Sequence, residues 1–243
     1  MGLRFEELDW RSTPMGDLVL RRRWDPVFGA DVHEIKLGDE FLMSSMFTSA
    51  EVEMARLALA ESGDEPVDVA VGGLGLGFTA QAVLEHAAVS SLLVVEAMPE
   101  VIEWHERGLI PAGTELSADP RCRFVHGDFF ALTDSAAGLD AEEAGRRFHA
   151  VLVDIDHSPR HLLHDSHAGF YSAEGLRRLV RFLHPGGTFA LWSNDPPDAW
   201  FSAVLGQVFP EVRAEIVVFS NPLQDRDAAN TVYLATAPQA PQS

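Results

Sequence analysis

The sequence has few of the features that mark disulfide-bonded, membrane-bound or secreted proteins. Its 243 residues include one cysteine, Cys122, which excludes an internal disulfide and a cysteine-based metal cluster. No apolar run is long enough to span a bilayer, so no membrane partner is expected. The first ten residues carry Arg4, Glu6, Glu7 and Asp9 and lack the apolar core of a signal peptide. These absences argue against secretion and predict a reducing, cytoplasmic setting.

Positive charge is also scarce. The chain has 18 Lys and Arg against 37 Asp and Glu, which gives a formal net charge of -19 at pH 7. This charge argues against a nucleic-acid partner, because the phosphates would be repelled. It would attract a small cationic molecule over a long range, although acidity of this kind also serves solubility alone.

A glycine-rich segment follows the most apolar predicted strand. The run from Val67 to Val71 predicts a buried parallel strand, and the stretch from Thr79 to His86 has helical spacing. Between them lie four glycines, Gly72, Gly73, Gly75 and Gly77. Strand, glycine loop and helix let a bare backbone approach a nucleotide at a helix N-terminus, where a Cβ would block the approach. We expect Gly73, Gly75 and Gly77 to bind a cofactor, although such turns also close ordinary βα units.

The remaining pattern predicts an α/β fold. Further strands are predicted at Ser91–Glu96, Cys122–His126, His149–Asp154, Thr188–Trp192, Glu215–Phe219 and Thr231–Ala235. Helices are predicted at Pro99–Gly108, Ser172–Leu183 and Ala199–Phe209. This alternation predicts a Rossmann-like, doubly wound parallel sheet that binds ligands at the C-terminal ends of its strands.

Residues 1–48 differ from this pattern. Short extended stretches at Asp17–Arg22, Val32–Lys36 and Glu40–Met43 are separated by prolines and glycines, which predicts a small antiparallel β appendage. Thr48 and Glu51 have capping-box spacing before a helix to Ala60. The chain is therefore divided into an appendage, residues 1–48, and a Rossmann-like domain, residues 49–243.

Acidic residues end two of the predicted strands where an adenosine-containing ligand would lie. Glu96 stands about twenty residues beyond the glycines, a spacing at which an acid commonly accepts hydrogen bonds from the ribose hydroxyls. Asp128 ends the next strand and is placed to accept from an adenine amino group, with Phe129 or Phe130 against the ring. The alternatives are a solvated acid at Glu96 and ordinary core packing for at least one phenylalanine.

Two carboxylates, Asp154 and Asp156, follow the fourth strand of the domain, which is expected to be central. Such a pair can hold an amine and attract its proton. A free alkylamine has a pKa near ~10.4, so it must lose a proton before it attacks. Both residues are catalytic candidates, and the alternative for Asp154 is a cap on the following turn.

Four histidines, His157, His161, His164 and His167, come soon after Asp156. Histidines near a carboxylate can form a metal site. In a loop over an acidic mouth they more often bind hydrogen-bond partners or water, and no cysteine supports a metal. No metal is therefore expected, with the His157–His167 segment left as the alternative.

These motifs, taken together, resemble the spermidine synthases, polyamine aminopropyltransferases within the class I S-adenosylmethionine-dependent transferases. The matching segments are Val71–Phe78, Val95–Ile102, Asp119–Arg121, Gly127–Asp128, Val153–Asp154, Phe170–Tyr171 and Leu183–Gly187. The resemblance implies a class I methyltransferase-type fold, a decarboxylated S-adenosylmethionine donor and a cationic amine acceptor. It also implies that Glu96 holds the ribose, Asp128 the adenine, and that Asp154 receives the attacking amine. A homodimer formed through the β appendage is a further expectation.

Three departures from the family leave the transferred group open. Leu76 stands where the family has an aspartate that holds the donor's aminopropyl ammonium. The family's Tyr-His-Glu stretch is not reproduced in Glu51–Met54, and its Asp-Ser-Ser/Thr-Asp-Pro segment is altered to Asp154–Pro159. The first expectation is aminopropyl transfer to a polyamine or other amine. The alternatives are methyl transfer from S-adenosylmethionine to a small amine, a catalytically inactive S-adenosyl-ligand-binding protein, and a nicotinamide enzyme, since Gly75, Gly77 and Ala80 fit G-x-G-x-x-A.

Overall fold

The protein, described here for residues 5–240 from a computed structural model, contains two β-sheets. The N-terminal sheet has four antiparallel strands in sequence order, β1 (Phe5–Thr13), β2 (Gly16–Asp25), β3 (Ala30–Leu37) and β4 (Glu40–Ser44). The predicted appendage is therefore confirmed, but β1 was not predicted. Its apolar residues alternate poorly because a register shift between Glu7 and Asp9 breaks the period.

The second sheet has seven strands, in the order β10-β11-β9-β8-β5-β6-β7. They are β5 (Val67–Gly72), β6 (Val89–Glu96), β7 (Cys122–His126), β8 (Phe148–Val153), β9 (Leu183–Ser193), β10 (Glu211–Asn221) and β11 (Arg226–Thr236). Strands β5 to β9 pair in parallel, whereas β11 is antiparallel to both β9 and β10. The expectation of a central position for the strand before Asp154, here β8, is confirmed.

Seven α-helices accompany this sheet within residues 5–240: α1 (Ser49–Leu59), α2 (Phe78–Leu84), α3 (Pro99–Glu106), α4 (Gly113–Ala118), α5 (Phe129–Asp134), α6 (Ala173–Val180) and α7 (Ala199–Leu205). Helices α1 to α4 contribute to one apolar core and α5 to α7 to the other. Alternate residues of the strands supply both cores; Val69 and Val71 belong to the first, and Ala70 to the second. Cores on both faces of the sheet make the fold doubly wound, as predicted.

Two details of the sequence prediction were wrong. Residues 184–187, which separate the predicted helix ending at Leu183 from the predicted strand starting at Thr188, lie inside β9, and this strand pairs with β8 across a register shift. The short helices α4 and α5 were not predicted, because six residues are too few to show a helical period.

The N-terminal sheet is attached to the glycine loop and to α3. The Met43 sulfur accepts a hydrogen bond from the backbone N–H of Leu76 at 3.0 Å, and the indole N–H of Trp104 donates to Asp9 at 2.8 Å. Arg11 adds an ion pair with Glu103 at 3.0 Å. The sheet ends at Ser44 and α1 begins at Ser49, on either side of the domain boundary proposed after residue 48. Within residues 5–240, no helix has the length and apolar character that crossing a bilayer requires.

Candidate active site

A cavity of about 460 Å³ lies where the N-terminal sheet meets the C-terminal ends of β5, β6 and β8. Ile35, Leu42 and Met43 of the N-terminal sheet form one wall, and the other walls come from the loops of the second sheet. Six of the eight predicted site residues line this cavity: Gly73, Gly75, Glu96, Asp128, Phe129 and Asp154. Ligand binding at the strand ends is the arrangement that the fold favours.

The glycine loop lies against the segment after β8. Gly73 has a φ of +94°, and a Cβ there would overlap the backbone carbonyl oxygen of Asp154. Gly75 has a φ of +47°, and its Cβ would overlap the Met43 sulfur. Gly77, by contrast, does not line the cavity; its Cβ would come within 2.8 Å of both His105 and Leu116. The structure therefore places Gly77 in helix packing at the start of α2, rather than beside a ligand.

The Glu96 side chain is fixed by backbone N–H groups at the end of β6. One carboxylate oxygen accepts from Leu74 at 3.0 Å and the other from Met98 at 2.9 Å. The residue is buried, and this burial raises the pKa of its carboxyl group while the N–H groups oppose the rise. Each oxygen can accept a second bond, so the carboxylate can still bind two adjacent hydroxyls.

Asp128 caps the N-terminus of α5. Its Oδ1 accepts from the backbone N–H groups of Phe130 at 2.9 Å and Ala131 at 3.2 Å. Oδ2 accepts no hydrogen bond from the part of the chain that the structure describes. The carboxylate is exposed and lines the cavity, so this oxygen is available to a ligand donor.

Phe129 and Phe130 are buried and both line the cavity. The Phe129 ring lies against Gly72, where a Cβ would come within 2.6 Å of it. Phe130 lies with its ring centroid 4.2 Å from that of His167 and 5.0 Å from that of Phe170. The two rings are thus part of the aromatic core and also of the cavity wall.

Carboxyl groups from two different elements line the same cavity. Asp154, after β8, accepts a hydrogen bond from the Thr79 hydroxyl at 2.7 Å. Glu51, from α1, is buried, and its Oε2 has no hydrogen-bond partner among the described residues. Burial raises the pKa of Glu51 to about 8, with the nearby Asp154 charge adding to the rise. Burial likewise raises the pKa of Asp154 to about 6.

The predicted capping box at Thr48 and Glu51 is wrong. The Thr48 side chain makes no cap hydrogen bond, and the Glu51 side chain faces the cavity. Sequence reasoning therefore missed Glu51 as a site residue. The signal was present: Glu51 lies three, four and seven residues before Met54, Ala55 and Ala58, on the buried face of α1.

Asp156 does not line the cavity and does not face a substrate beside Asp154. It is buried, and its Oδ1 accepts from the Leu163 N–H at 2.7 Å and pairs with His167 at 2.8 Å. Its Oδ2 accepts from the Tyr171 hydroxyl at 2.9 Å. These contacts give Asp156 a structural role, since it fixes the segment that carries His167 into the cavity wall, and its direct catalytic role stays a prediction.

The four histidines have separate partners. His157 lies 3.2 Å from Glu40, His161 lies 2.9 Å from Asp195, and His164 caps a 3₁₀-helix, Asp165–Gly169. The segment is not α-helical, so the face that these histidines would share in a helix does not form. Within residues 5–240, no three potential metal ligands are grouped as a metal would require.

Leu76 lies in the apolar core rather than in the cavity wall. Its side chain is 1% exposed and belongs to the core beneath the N-terminal sheet. The glycine loop therefore contributes no acidic side chain to the cavity. Glu51, from α1, contributes one.

The chain is similar in sequence to a polyamine aminopropyltransferase. No family model matches it. Polyamine aminopropyltransferase 2 of Pseudomonas aeruginosa is 27% identical over 212 residues, which cover 80% of this chain and 55% of that protein. The chain thus spans about half the length of this curated relative.

Two solved structures have the same fold. A spermidine synthase in complex with the transition-state analogue AdoDATO has a TM-score of 0.70 and 17% identity, over 97% of this chain and 75% of that one. The spermidine synthase of Thermotoga maritima has a TM-score of 0.68 and 18% identity, over 97% and 74% of the two chains. The resemblance to spermidine synthases, and with it the class I methyltransferase-type fold, is confirmed.

Proposed function

We propose that this protein is a spermidine-synthase-like transferase that moves an aminopropyl group from a decarboxylated S-adenosylmethionine-type donor to a polyamine or other amine. The observation that supports this most is the convergence of Glu96, Asp128 and Asp154 on one cavity that is otherwise largely apolar. The first two suit an adenosine, and the third, with Glu51 beside it, suits a cationic amine.

The donor's adenosine half would lie between the glycine loop and α5. Glu96 would accept from the two ribose hydroxyls, and the Oδ2 of Asp128 from the adenine amino group. Phe129 would lie against the adenine ring, with Gly73 and Gly75 allowing the backbone to approach. In this assignment Gly77 acts only through the packing of α2.

Asp154 would act as the base. The neutral amine attacks the carbon next to the sulfonium sulfur; a C–N bond forms, the C–S bond breaks and its electron pair returns to sulfur, leaving a neutral thioether. The ammonium form has no lone pair, so one proton must leave first, and Asp154 is the acceptor that the cavity offers. With a pKa of about 6, Asp154 can both ionise and take up a proton near neutral pH.

The acidity of the cavity favours the decarboxylated donor over intact S-adenosylmethionine. The tail of the decarboxylated donor is purely cationic, whereas the intact donor carries a tail carboxylate that would approach Glu51 and Asp154. Among the described residues that line the cavity, none is Arg or Lys. A tail carboxylate would therefore have no cationic partner.

Methyl transfer to a small amine is the second candidate function. It is favoured by position 76, where an apolar side chain in the core leaves the glycine loop without an acid. Calorimetric titration with each donor separates the two candidates. Tighter binding of decarboxylated S-adenosylmethionine supports aminopropyl transfer, tighter binding of the intact donor supports methyl transfer, and binding of neither contradicts both.

Replacement of Asp154 by Asn tests the chemical step. Because the amide cannot take the amine's proton, we expect Asp154→Asn to lower kcat for amine alkylation by about 10²–10⁴-fold. The affinity for 5′-methylthioadenosine, which lacks the reacting amine, should stay within about twofold of the wild type. The measurement is steady-state kinetics combined with calorimetry.

The matched control for this change is Asp64→Asn, at an exposed loop position outside the cavity. It should leave both kcat and nucleoside affinity unchanged. Full activity in Asp154→Asn would remove Asp154 as the base. Nucleoside binding without turnover of any amine by the wild type would favour the catalytically inactive, ligand-binding alternative.

A further inference from the structure

Glu51 is a buried carboxyl group in the first turn of α1. It is 6% exposed, its Oε2 has no partner in the described part of the chain, and it does not cap the helix. A buried polar atom without a hydrogen bond lowers stability, and a buried charge does so more. Such a group is retained where a ligand supplies the missing partner.

Among the residues that the structure describes, none that lines the cavity offers a permanent cation to this carboxyl group. The other titratable side chains that line it are Glu96, Asp128, Asp154, His157, His164 and His167. Glu96 is already bonded to backbone N–H groups, and His164 is bonded to Ser166. The missing partner of Glu51 and Asp154 is therefore a hydrogen-bond donor with positive charge.

We propose that Glu51 and Asp154 form a carboxyl pair that binds the primary ammonium group of a substrate. In the empty site the two carboxyl groups hold one proton between them, because the negative charges of neighbouring carboxylates repel each other. When the ammonium enters, it donates hydrogen bonds to both carboxylates, and the shared proton leaves to solvent. The Thr79 hydroxyl holds Asp154 in place for this contact.

The inference rests on the proposed function and adds a substrate-contacting residue to it. A primary ammonium is present both in an acceptor diamine and in the aminopropyl tail of the decarboxylated donor. The pair would bind the diamine and the donor tail through the same ammonium group, so titration with each ligand is needed to distinguish them.

The test uses Glu51→Gln, which keeps the shape and removes the charge, with Glu53→Gln on the same helix as the matched control. Glu53 does not line the cavity. The full-length variants and the wild type are titrated calorimetrically with 1,4-diaminobutane, decarboxylated S-adenosylmethionine and 5′-methylthioadenosine. Each titration is run at pH 7 in two buffers of different ionisation enthalpy, which gives the number of protons released.

We expect Glu51→Gln to weaken the binding of an ammonium ligand by about tenfold or more and to reduce its proton release. Weaker diamine binding identifies the acceptor as the ligand of the pair, and weaker donor binding identifies the donor tail. Binding of 5′-methylthioadenosine, which has no ammonium, should be unchanged. Glu53→Gln should behave as the wild type in every titration.

Wild-type affinity of Glu51→Gln for both ammonium ligands would overturn the inference. So would ammonium binding to the wild type without proton release, a measurement that does not depend on the folding of any variant. Failure of the wild type to bind 5′-methylthioadenosine is a different result. It would contradict the proposed donor site, while the diamine titrations would still test the carboxyl pair.

Discussion

The Glu51 and Asp154 carboxyl groups connect the stability of this protein to its chemistry. Glu51 is buried and Asp154 half-buried, and both have a pKa above the ordinary range, about 8 and about 6. Holding these carboxyl groups away from water lowers the stability of the empty protein. A ligand with positive charge would offset this loss, and its binding would be coupled to proton release. Residues that lower stability in an empty cavity are typical of binding sites.

This pair predicts a pH dependence of stability. Burial raises the pKa of Glu51 from 4.5 to about 8, so the folded state holds a proton that the unfolded state releases above pH 4.5. The stabilisation is full below that pH and is lost as the pH rises through about 8. We therefore expect the Tm of the ligand-free wild type to fall relative to that of Glu51→Gln between pH 5 and 8.

Thermal unfolding at a series of pH values measures this difference. The curve of Glu53→Gln should run parallel to that of the wild type, because its charge lies outside the cavity. Parallel curves for wild type and Glu51→Gln would show that Glu51 ionises normally in the fold.

Among the secondary-structure elements, the glycine loop is the most constrained by its surroundings. Replacement of Gly73 by Ala combines a φ of +94° with overlap between the new Cβ and the Asp154 carbonyl oxygen. We expect it to lower the free energy of unfolding by more than about 2 kcal/mol, because both backbone strain and overpacking oppose it. It should also abolish nucleoside binding, since the loop must move away from the β8 end.

Gly145→Ala is the matched comparison. Gly145 has a φ of +75°, but a Cβ there would meet nothing within 4 Å, so the expected loss is about 1 kcal/mol from backbone strain alone. Urea unfolding of both variants measures the two losses. Equal losses would mean that crowding against Asp154 contributes nothing at Gly73.

How much of the structure could be predicted from the sequence differs from element to element. Strand ends could be predicted because glycines and acids follow apolar runs, and parallel strands bring these positions to one edge. The role of Glu51 could not, since an acid three residues after a threonine fits a capping box equally well. The contacts of Asp156 could not be predicted for a similar reason, because the sequence does not show whether a strand-end acid points into the cavity or into the following loop.

At the scale of the whole molecule, the N-terminal sheet closes the cavity that the Rossmann-like domain leaves open. Ile35, Leu42 and Met43 complete its wall, and Asp9 and Arg11 attach the sheet to α3. The division into residues 1–48 and 49–243 and the homodimer through this sheet stay predictions. Analytical ultracentrifugation tests the homodimer, with exposed Trp10 and Trp24 as the positions to change.

The net charge of -19 and the acidic cavity together predict steering of a cationic amine. The field of the whole protein raises the local concentration of such a substrate, and added salt screens it. We expect kcat/KM for the amine to fall by about three- to tenfold as NaCl is raised from about 0.02 M to about 0.5 M, over which the Debye length shortens from about 20 Å to about 4 Å. The rate at saturating amine should change less, because Glu51 and Asp154 lie inside the cavity, where screening is weaker.

The affinity for uncharged 5′-methylthioadenosine is the control and should not fall with salt. A kcat/KM that does not depend on salt would mean that the acidity of the surface serves solubility and has no part in capturing the substrate.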